Sequence, residues 1–215
     1  MTDKLRLHDY WRSGAAYRVR IALNWKNLDY EAVSHDLRTG AQRAPDYLAQ
    51  NPQGLVPTLE GNGVVLSQSP AILEWLEERY PEPALLPRDA TERAYVRAMC
   101  AAIGCDIHPL GNLRVQNKLR SQLSADDAAV RGWVAHWIEQ GFAALEVLIS
   151  RHGQGFAFGS APTLADCYLV PQVYSAERFG VDLSAYPQLR AAAERFRALA
   201  PVAKAHPSQQ PDADR

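Results

Sequence analysis

Cysteine is scarce in this 215-residue chain: Cys100, Cys105 and Cys167 are an odd number with no paired spacing. They fit neither a disulfide framework nor a zinc site, which suits a reducing compartment. An excess of one charge is missing as well. Lys and Arg (23) nearly balance Asp and Glu (24), so nothing points to a nucleic acid or another polyanion as partner. No apolar run approaches the roughly 18 residues of a membrane span. The opening MTDKLRLHDYW carries charges where a signal peptide needs an apolar stretch. The expected location is therefore cytoplasmic, with no membrane partner. His8, His35, His136, His152 and His206 show no metal-ligand spacing, and no metal is expected. What remains is a chain with 47% apolar residues, ordinary for a globular protein and long enough for one or two domains.

Two halves with different grammar meet at a proline-rich joint. From Lys4 to about Pro81 the pattern predicts the order β-α-β-α-β-β-α. A short strand covers Leu5, Leu7 and Asp9. Ser13 precedes a helix with Ala15, Val19, Ala22 and Leu23 at helical spacing, and Tyr30 to Val33 forms a second strand. A short helix follows around Pro45 to Ala49. Gly61-Asn62-Gly63 between two apolar runs signals a hairpin. Ser69 and Pro70 then open a helix as cap and first-turn proline, with Ile72, Leu73, Leu76 and Tyr80 on its apolar side.

Pro81, Pro83 and Pro87 mark a linker. The expected domains are 1–82, an α/β unit, and 90–215, all helical with a polar, frayed tail, joined by 83–89. In the second half, Asp89 with Glu92, Ser124 with Asp127, and Thr163 with Asp166 are placed as helix-start pairs. Val130, Val134, Trp137, Gly141, Leu145, Leu148 and Ile149 make one apolar stripe, and a last helix is expected over about 187–199.

Three local features could carry chemistry. Arg12-Ser13-Gly14 is a strand-to-helix turn, so the Ser13 hydroxyl sits beside unpaired N–H groups and the positive helix end. Such a place stabilises a thiolate, phosphate or carboxylate; taken alone, a plain helix cap is the favoured explanation of Ser13. Val56-Pro57 falls at a strand edge, where a cis proline would leave the Val56 backbone open to an extended peptide. An ordinary edge proline is the alternative. Gln68-Ser69 before Pro70 is either a carboxylate cradle or a cap. All three occur on one small βα unit, and each suits a different part of a peptide.

The stretches SGAAYRVRIALNWKNLDYE, QNPQGLVPTLE and LSQSPAILEWLEERYPEPALLP resemble the zeta class of glutathione transferases. GCDIHPLGNLRV, TLADCYLVPQVYSAERFGVDL and HPSQQPDA continue the resemblance over essentially the whole chain. It implies a thioredoxin-like N-terminal domain, an all-α C-terminal domain, and a homodimer with glutathione bound between domains. Carried over residue by residue, it implies that Ser13 hydrogen-bonds the glutathione sulfur. Val56 would pair its backbone with the cysteinyl unit before a cis Pro57, and Gln68 and Ser69 would hold the γ-glutamyl end. Gln42 would lie near the glycyl end, with His108 and Asn112 on the helix that closes the site. Many members read Ser-Ser-Cys-Ser through the turn, whereas this chain has Ser13-Gly14-Ala15-Ala16. Chemistry that needs a protein thiol at Ala15 is therefore not expected.

Within the class, the resemblance is to isomerases of maleyl diketo acids. It implies a glutathione-dependent cis–trans isomerase that converts maleylacetoacetate to fumarylacetoacetate in aromatic amino-acid catabolism. The thiolate would add to the cis double bond and then leave, with rotation in between. Two arginines suit a dianionic substrate; Arg12 and Arg178 are the first candidates and Arg114 a weaker third. The rivals are maleylpyruvate isomerase, a general glutathione conjugase, and a non-catalytic interaction module of the same fold. Retention of Ser13, Gln68 and Ser69 speaks against the last.

Overall fold

The computed structural model describes residues 4–214; residues 1–3 and 215, which the expected domain bounds include, lie outside the described residues. Contacts divide the chain into two compact units, one running up to Ala84 and resumed from Ala198 onward, the other Leu85–Arg197.

The first unit follows the predicted order: β1 Leu5–Asp9, α1 Gly14–Trp25, β2 Tyr30–Ser34, α2 Pro45–Gln50, β3 Thr58–Gly61, β4 Val64–Ser67 and α3 Ser69–Arg79. The strands form one sheet in the order β2-β1-β3-β4, with β1 parallel to β2 and antiparallel to β3. Asn62 (φ 52) and Gly63 (φ 77) are the two loop residues between Gly61 and Val64, which pair across the β3–β4 hairpin. Positive φ at both is what a tight right-twisted hairpin requires.

Helix α1 is enclosed more completely than an amphipathic surface helix. Every residue from Ala16 to Leu23 is buried, including Arg18 and Arg20, whereas Ala15, read as a core position, is only half-buried. The cover comes from far along the sequence. A short helix α9, Ala200–Lys204, packs on α1, and Asn24 Nδ2 donates to the Pro201 carbonyl at 3.0 Å. Here the expected domain bounds are corrected. Residues 198–214 belong to the first unit rather than the helical one, and the tail is ordered rather than frayed. Specific bonds give the reason: Arg20 Nε donates to the Ala205 carbonyl at 3.1 Å, and the Trp11 amide to Asp212 Oδ2 at 3.1 Å. Lys26 closes the other end of the unit, its Nζ donating to the carbonyls of Tyr80 (2.6 Å) and Pro83 (3.1 Å).

The second unit is all helical: α4 Ala90–Ala101, a π-helical turn Ala102–Ile107, α5 Leu113–Leu123, α6 Asp127–His152, α7 Leu164–Phe179 and α8 Pro187–Arg197. Asp89 caps α4, accepting from the amides of Thr91 and Glu92 as the spacing predicts. The α6 cap is Asp126, not Ser124, which instead ends α5 in a left-handed conformation. The buried stripe of α6 runs through Ile138 and Phe142 rather than through the Trp137 and Gly141 that the spacing predicts. Trp133 and Trp137 are half-buried and meet edge to face at 5.8 Å. Asp166 forms the predicted capping box with Thr163. Both oxygens are used, from the amides of Ala157 (2.7 Å) and Thr163 (2.8 Å), and burial pushes the carboxyl up to about 6. Among the described residues no helix is long and apolar enough to cross a membrane.

Candidate functional site

One end of the sheet gathers the three features singled out in the sequence. His8, Thr58 and Ser67 lie in register across β1, β3 and β4. The residues just beyond them are the turn 10–13, the Val56-Pro57 edge and Gln68-Ser69.

The chain leaves β1 through a tight turn in which the Ser13 amide donates to the Tyr10 carbonyl at 2.8 Å. Ser13 is the N-cap of α1, its Oγ accepting from the Ala16 amide at 3.2 Å. A hydroxyl that accepts with a lone pair keeps its own hydrogen for another acceptor. None of the described residues takes it. The first turn of α1 carries no acidic residue, so no side-chain carboxylate answers the positive end of the helix. Arg12 is half-buried beside it, its guanidinium carbon 5.3 Å from the Trp11 ring centroid.

Behind the turn lies an ion pair that no sequence pattern signals. Arg20, fully buried, holds both Asp9 oxygens from NH1 at 2.8 Å and donates from NH2 to the Trp11 carbonyl at 2.9 Å. Burial raises the Asp9 carboxyl from its ordinary value, against the pull of the guanidinium. Alternation along β1 gave no hint of it, because β1 is covered on both faces.

Val56-Pro57 is cis. Val56 packs with Tyr10 and Tyr47, with Trp11 and Leu37 against the same cluster, so this edge adjoins the Ser13 turn. Among the described residues neither the amide nor the carbonyl of Val56 has a hydrogen-bond partner. The flanks are pinned instead. Tyr47 OH donates to the Leu55 carbonyl at 2.6 Å and meets Thr58 Oγ1 at 2.8 Å, while Asn51 Nδ2 donates to the same two atoms. Tyr47 and Asn51 carry no sequence signal of this role. Next to Tyr47, His8 Nδ1 and His35 Nε2 are 2.9 Å apart, and burial lowers both imidazoles from their ordinary value.

Gln68 adopts a positive φ of 71° and is the N-cap of α3 by position, without a side-chain cap bond; its amide group donates to Gln53 Oε1. Ser69 is thus the first helical residue rather than the cap. Its buried Oγ accepts from Arg18 NH1 at 3.3 Å. Gln42 sits on the 3₁₀ turn Ala41–Arg43, with Oε1 buried and unpartnered among the described residues.

The remaining candidates lie on the second unit. His108 follows the π-helical turn, its amide bonded to the Ile103 carbonyl at 2.9 Å. Asn112 caps α5, with Oδ1 accepting from the Arg114 amide at 3.0 Å. Arg178 is exposed near the end of α7, 5.8 Å from the Tyr174 ring centroid and 5.6 Å from that of Phe179. Cys100 and Cys167 are buried, and Cys105 is exposed. Among the described residues no group of three or more His, Cys, Asp or Glu could hold a metal.

Residues 7–84 match the model of the glutathione S-transferase N-terminal domain, and residues 127–200 that of the C-terminal domain. The chain belongs to the glutathione S-transferase family. Within that family its relatives place it in the zeta class. It is 53% identical to a maleylacetoacetate isomerase of Pseudomonas aeruginosa, over 97% of this chain and 98% of that one. It is also 49% identical to a maleylpyruvate isomerase of a Ralstonia species, over 97% and 99%. Among solved structures, a holo maleyl pyruvate isomerase, described as a bacterial zeta-class glutathione S-transferase, superposes with a TM-score of 0.95. It is 48% identical, covering 97% of this chain and 100% of its own. A maleylacetoacetate isomerase of Anaeromyxobacter dehalogenans with glutathione in its active site gives 0.90 at 47% identity, covering 99% of each chain. The α/β unit followed by a helical unit is thus the architecture of this glutathione S-transferase class, with the thioredoxin-like sheet at its N-terminal end.

Proposed function

We propose that the chain is a glutathione-dependent cis–trans isomerase that converts maleylacetoacetate to fumarylacetoacetate. The single observation that carries the mechanism is the Ser13 hydroxyl, whose lone pair caps α1 while its hydrogen stays available at the positive helix end. Full-length identity to named maleylacetoacetate isomerases supports the substrate.

The residues present fit glutathione. An extended peptide needs a partner for its own backbone pair, and Val56 offers both an amide and a carbonyl. Gln42 Oε1, buried and unpartnered, suits the N–H of the glycyl end. Gln68 and Ser69 at the start of α3 suit the γ-glutamyl carboxylate. His108 and Asn112 of the second unit complete the assignment that the resemblance implies. Bound glutathione supplies a thiolate that adds reversibly to the conjugated cis double bond, so that the bond can rotate.

Each further task falls to this chain. Ser13 holds the sulfur as an anion. A free thiol has a pKa of about 8.5, and lowering it by about two units requires about 2.7 kcal/mol of preference for the thiolate. A hydroxyl bond to an anion contributes roughly 1.5–3 kcal/mol and a helix N-terminus about 0.3–1 kcal/mol, which together reach that figure. Arg12, next to Ser13 in the chain, suits a substrate carboxylate, and the resemblance implies Arg178 for the other; the conjugated oxygen gains charge that a cationic donor stabilises.

The test is Ser13→Ala, followed by glutathione-dependent isomerisation of maleylacetoacetate. Turnover should fall at least tenfold at neutral pH, as the thiolate fraction shrinks. Undiminished turnover would remove Ser13 from the mechanism. Maleylpyruvate is the second reading, favoured by the TM-score of 0.95 to the holo maleyl pyruvate isomerase. Offering the two acids separately, with and without glutathione, decides between them. The same reading takes the chain as a cytoplasmic homodimer, and sedimentation of the full chain checks the dimer.

A further inference from the structure

Trp11, two residues before Ser13, has both backbone groups held by side chains from elsewhere. Its carbonyl accepts from Arg20 NH2 at 2.9 Å, and its amide donates to Asp212 Oδ2 at 3.1 Å. Trp11 and Arg12 are the central pair of the turn closed by the bond from the Ser13 amide to the Tyr10 carbonyl. The direction of that central pair sets where the Ser13 hydroxyl and the Arg12 side chain point. Asp212 in turn is fixed to the end of β2, where Ser34 Oγ donates to the same Oδ2 at 2.5 Å. Two residues on, Asp214 takes both its oxygens to Arg38 NH1 at 3.0 and 2.8 Å. Arg20 Nε reaches the Ala205 carbonyl, so the tail meets the turn by a second route.

We infer that Asp212 is a positioning residue for thiol activation: by accepting the Trp11 amide it holds the turn that aims Ser13 at the sulfur. The inference rests on the reading of Ser13 given above. It has a sign that electrostatics alone would reverse. A carboxylate near a bound thiolate repels it, so deleting only the charge lowers the thiol pKa. Releasing the turn does the opposite, because the hydroxyl and the helix end no longer converge on the sulfur.

The experiment follows the ultraviolet absorbance of the thiolate of enzyme-bound glutathione against pH, in the full-length chain and four variants. Ser13→Ala should raise the apparent pKa of the bound thiol by about two units. Asp212→Ala should raise it by about one unit and lower kcat roughly threefold at neutral pH, as the thiolate fraction shrinks. Asp212→Asn keeps an oxygen that can accept the Trp11 amide, and should restore most of both. Ser34→Ala removes the other bond to Asp212 and should stay near the parent value.

An unchanged or lowered pKa in Asp212→Ala, with Ser13→Ala raised, overturns the inference and leaves the role of Ser13 standing. Equal effects of Ser34→Ala and Asp212→Ala also overturn it, since that pattern means general loosening of the tail. No change in Ser13→Ala overturns the Ser13 reading, and this inference falls with it.

Discussion

Ser13 has two parts of one hydroxyl for two tasks: a lone pair ends the helix, and in the proposed mechanism the hydrogen is left for the ligand. Sequence spacing located that residue but could not separate the tasks, since a cap and a thiol activator have the same local pattern. Asp166 is the opposite case, legible from sequence as a cap and carrying an unexpected titration. Burial places its folded-state pKa at about 6, above the ordinary 3.8. A raised carboxyl means that the folded state binds the proton more tightly than the unfolded one. Its contribution is then full below about pH 4 and is lost as pH rises through about 6, a span of roughly 3 kcal/mol. Denaturant unfolding of the parent and Asp166→Asn at pH 4.5, 5.5 and 7 should show that falling limb only in the parent. Equal slopes in both would contradict the assignment. The His8–His35 pair acts in the reverse sense. Burial lowers both rings, so their neutral forms favour the fold and that favour is lost on acidification below the ordinary 6.5. Comparing the variant with the parent cancels it.

Helix α6 shows why periodicity located an element but missed its face. Apolar residues stand side by side at Trp137-Ile138 and Gly141-Phe142. A step of one residue turns the helix by about 100°, so either register fits the pattern. Packing against the turn Ala102–Ile107 decides it. A Cβ at Gly141 would lie 2.2 Å from Ile107 Cδ1, in a core where Ile107 is 2% exposed. Glycine is required there by close approach, not by backbone conformation. Alanine gains about 1 kcal/mol in a helix interior, but overpacking costs about 1–3 kcal/mol. Gly141→Ala should therefore lower the Tm, and adding Ile107→Ala should show favourable coupling between the two changes. A Gly141→Ala chain at least as stable as the parent would mean that the contact is slack. Capping signals were legible by the same local logic where one acceptor stood alone, as at Asp89. They slipped at 124–127, where Ser124, Asp126 and Asp127 compete.

At the scale of the whole molecule, the hidden feature was the return of residues 198–214 to the first unit. No local pattern reveals it. Arg18 and Arg20 carry no sequence signal of burial, and the polar tail is expected to fray. Only the partners separated by 185 and 201 residues, Arg20 with Ala205 and Trp11 with Asp212, make the arrangement visible. The three segments proposed to face the ligand were legible because each is a chain break between regular elements. Their convergence at one end of the sheet required the strand register. A chain stopped at Arg197 should uncover α1 and lose about 3 kcal/mol or more of stability. Thermal unfolding should show the drop, and a glutathione-affinity resin should no longer retain the protein. Full retention with an unchanged Tm would mean that the tail is ornamental.

The order of synthesis gives that closure a further meaning. The ribosome releases the sheet and α1 first, then the whole helical unit, and only then the residues that cover α1 and grip Trp11. The turn bearing Ser13 therefore stays without its Asp212 bond for most of translation. It gains its final hold only on a chain read through to residue 212. A product truncated after the helical unit carries every residue proposed above to face the ligand and lacks the bond from the Trp11 amide to Asp212.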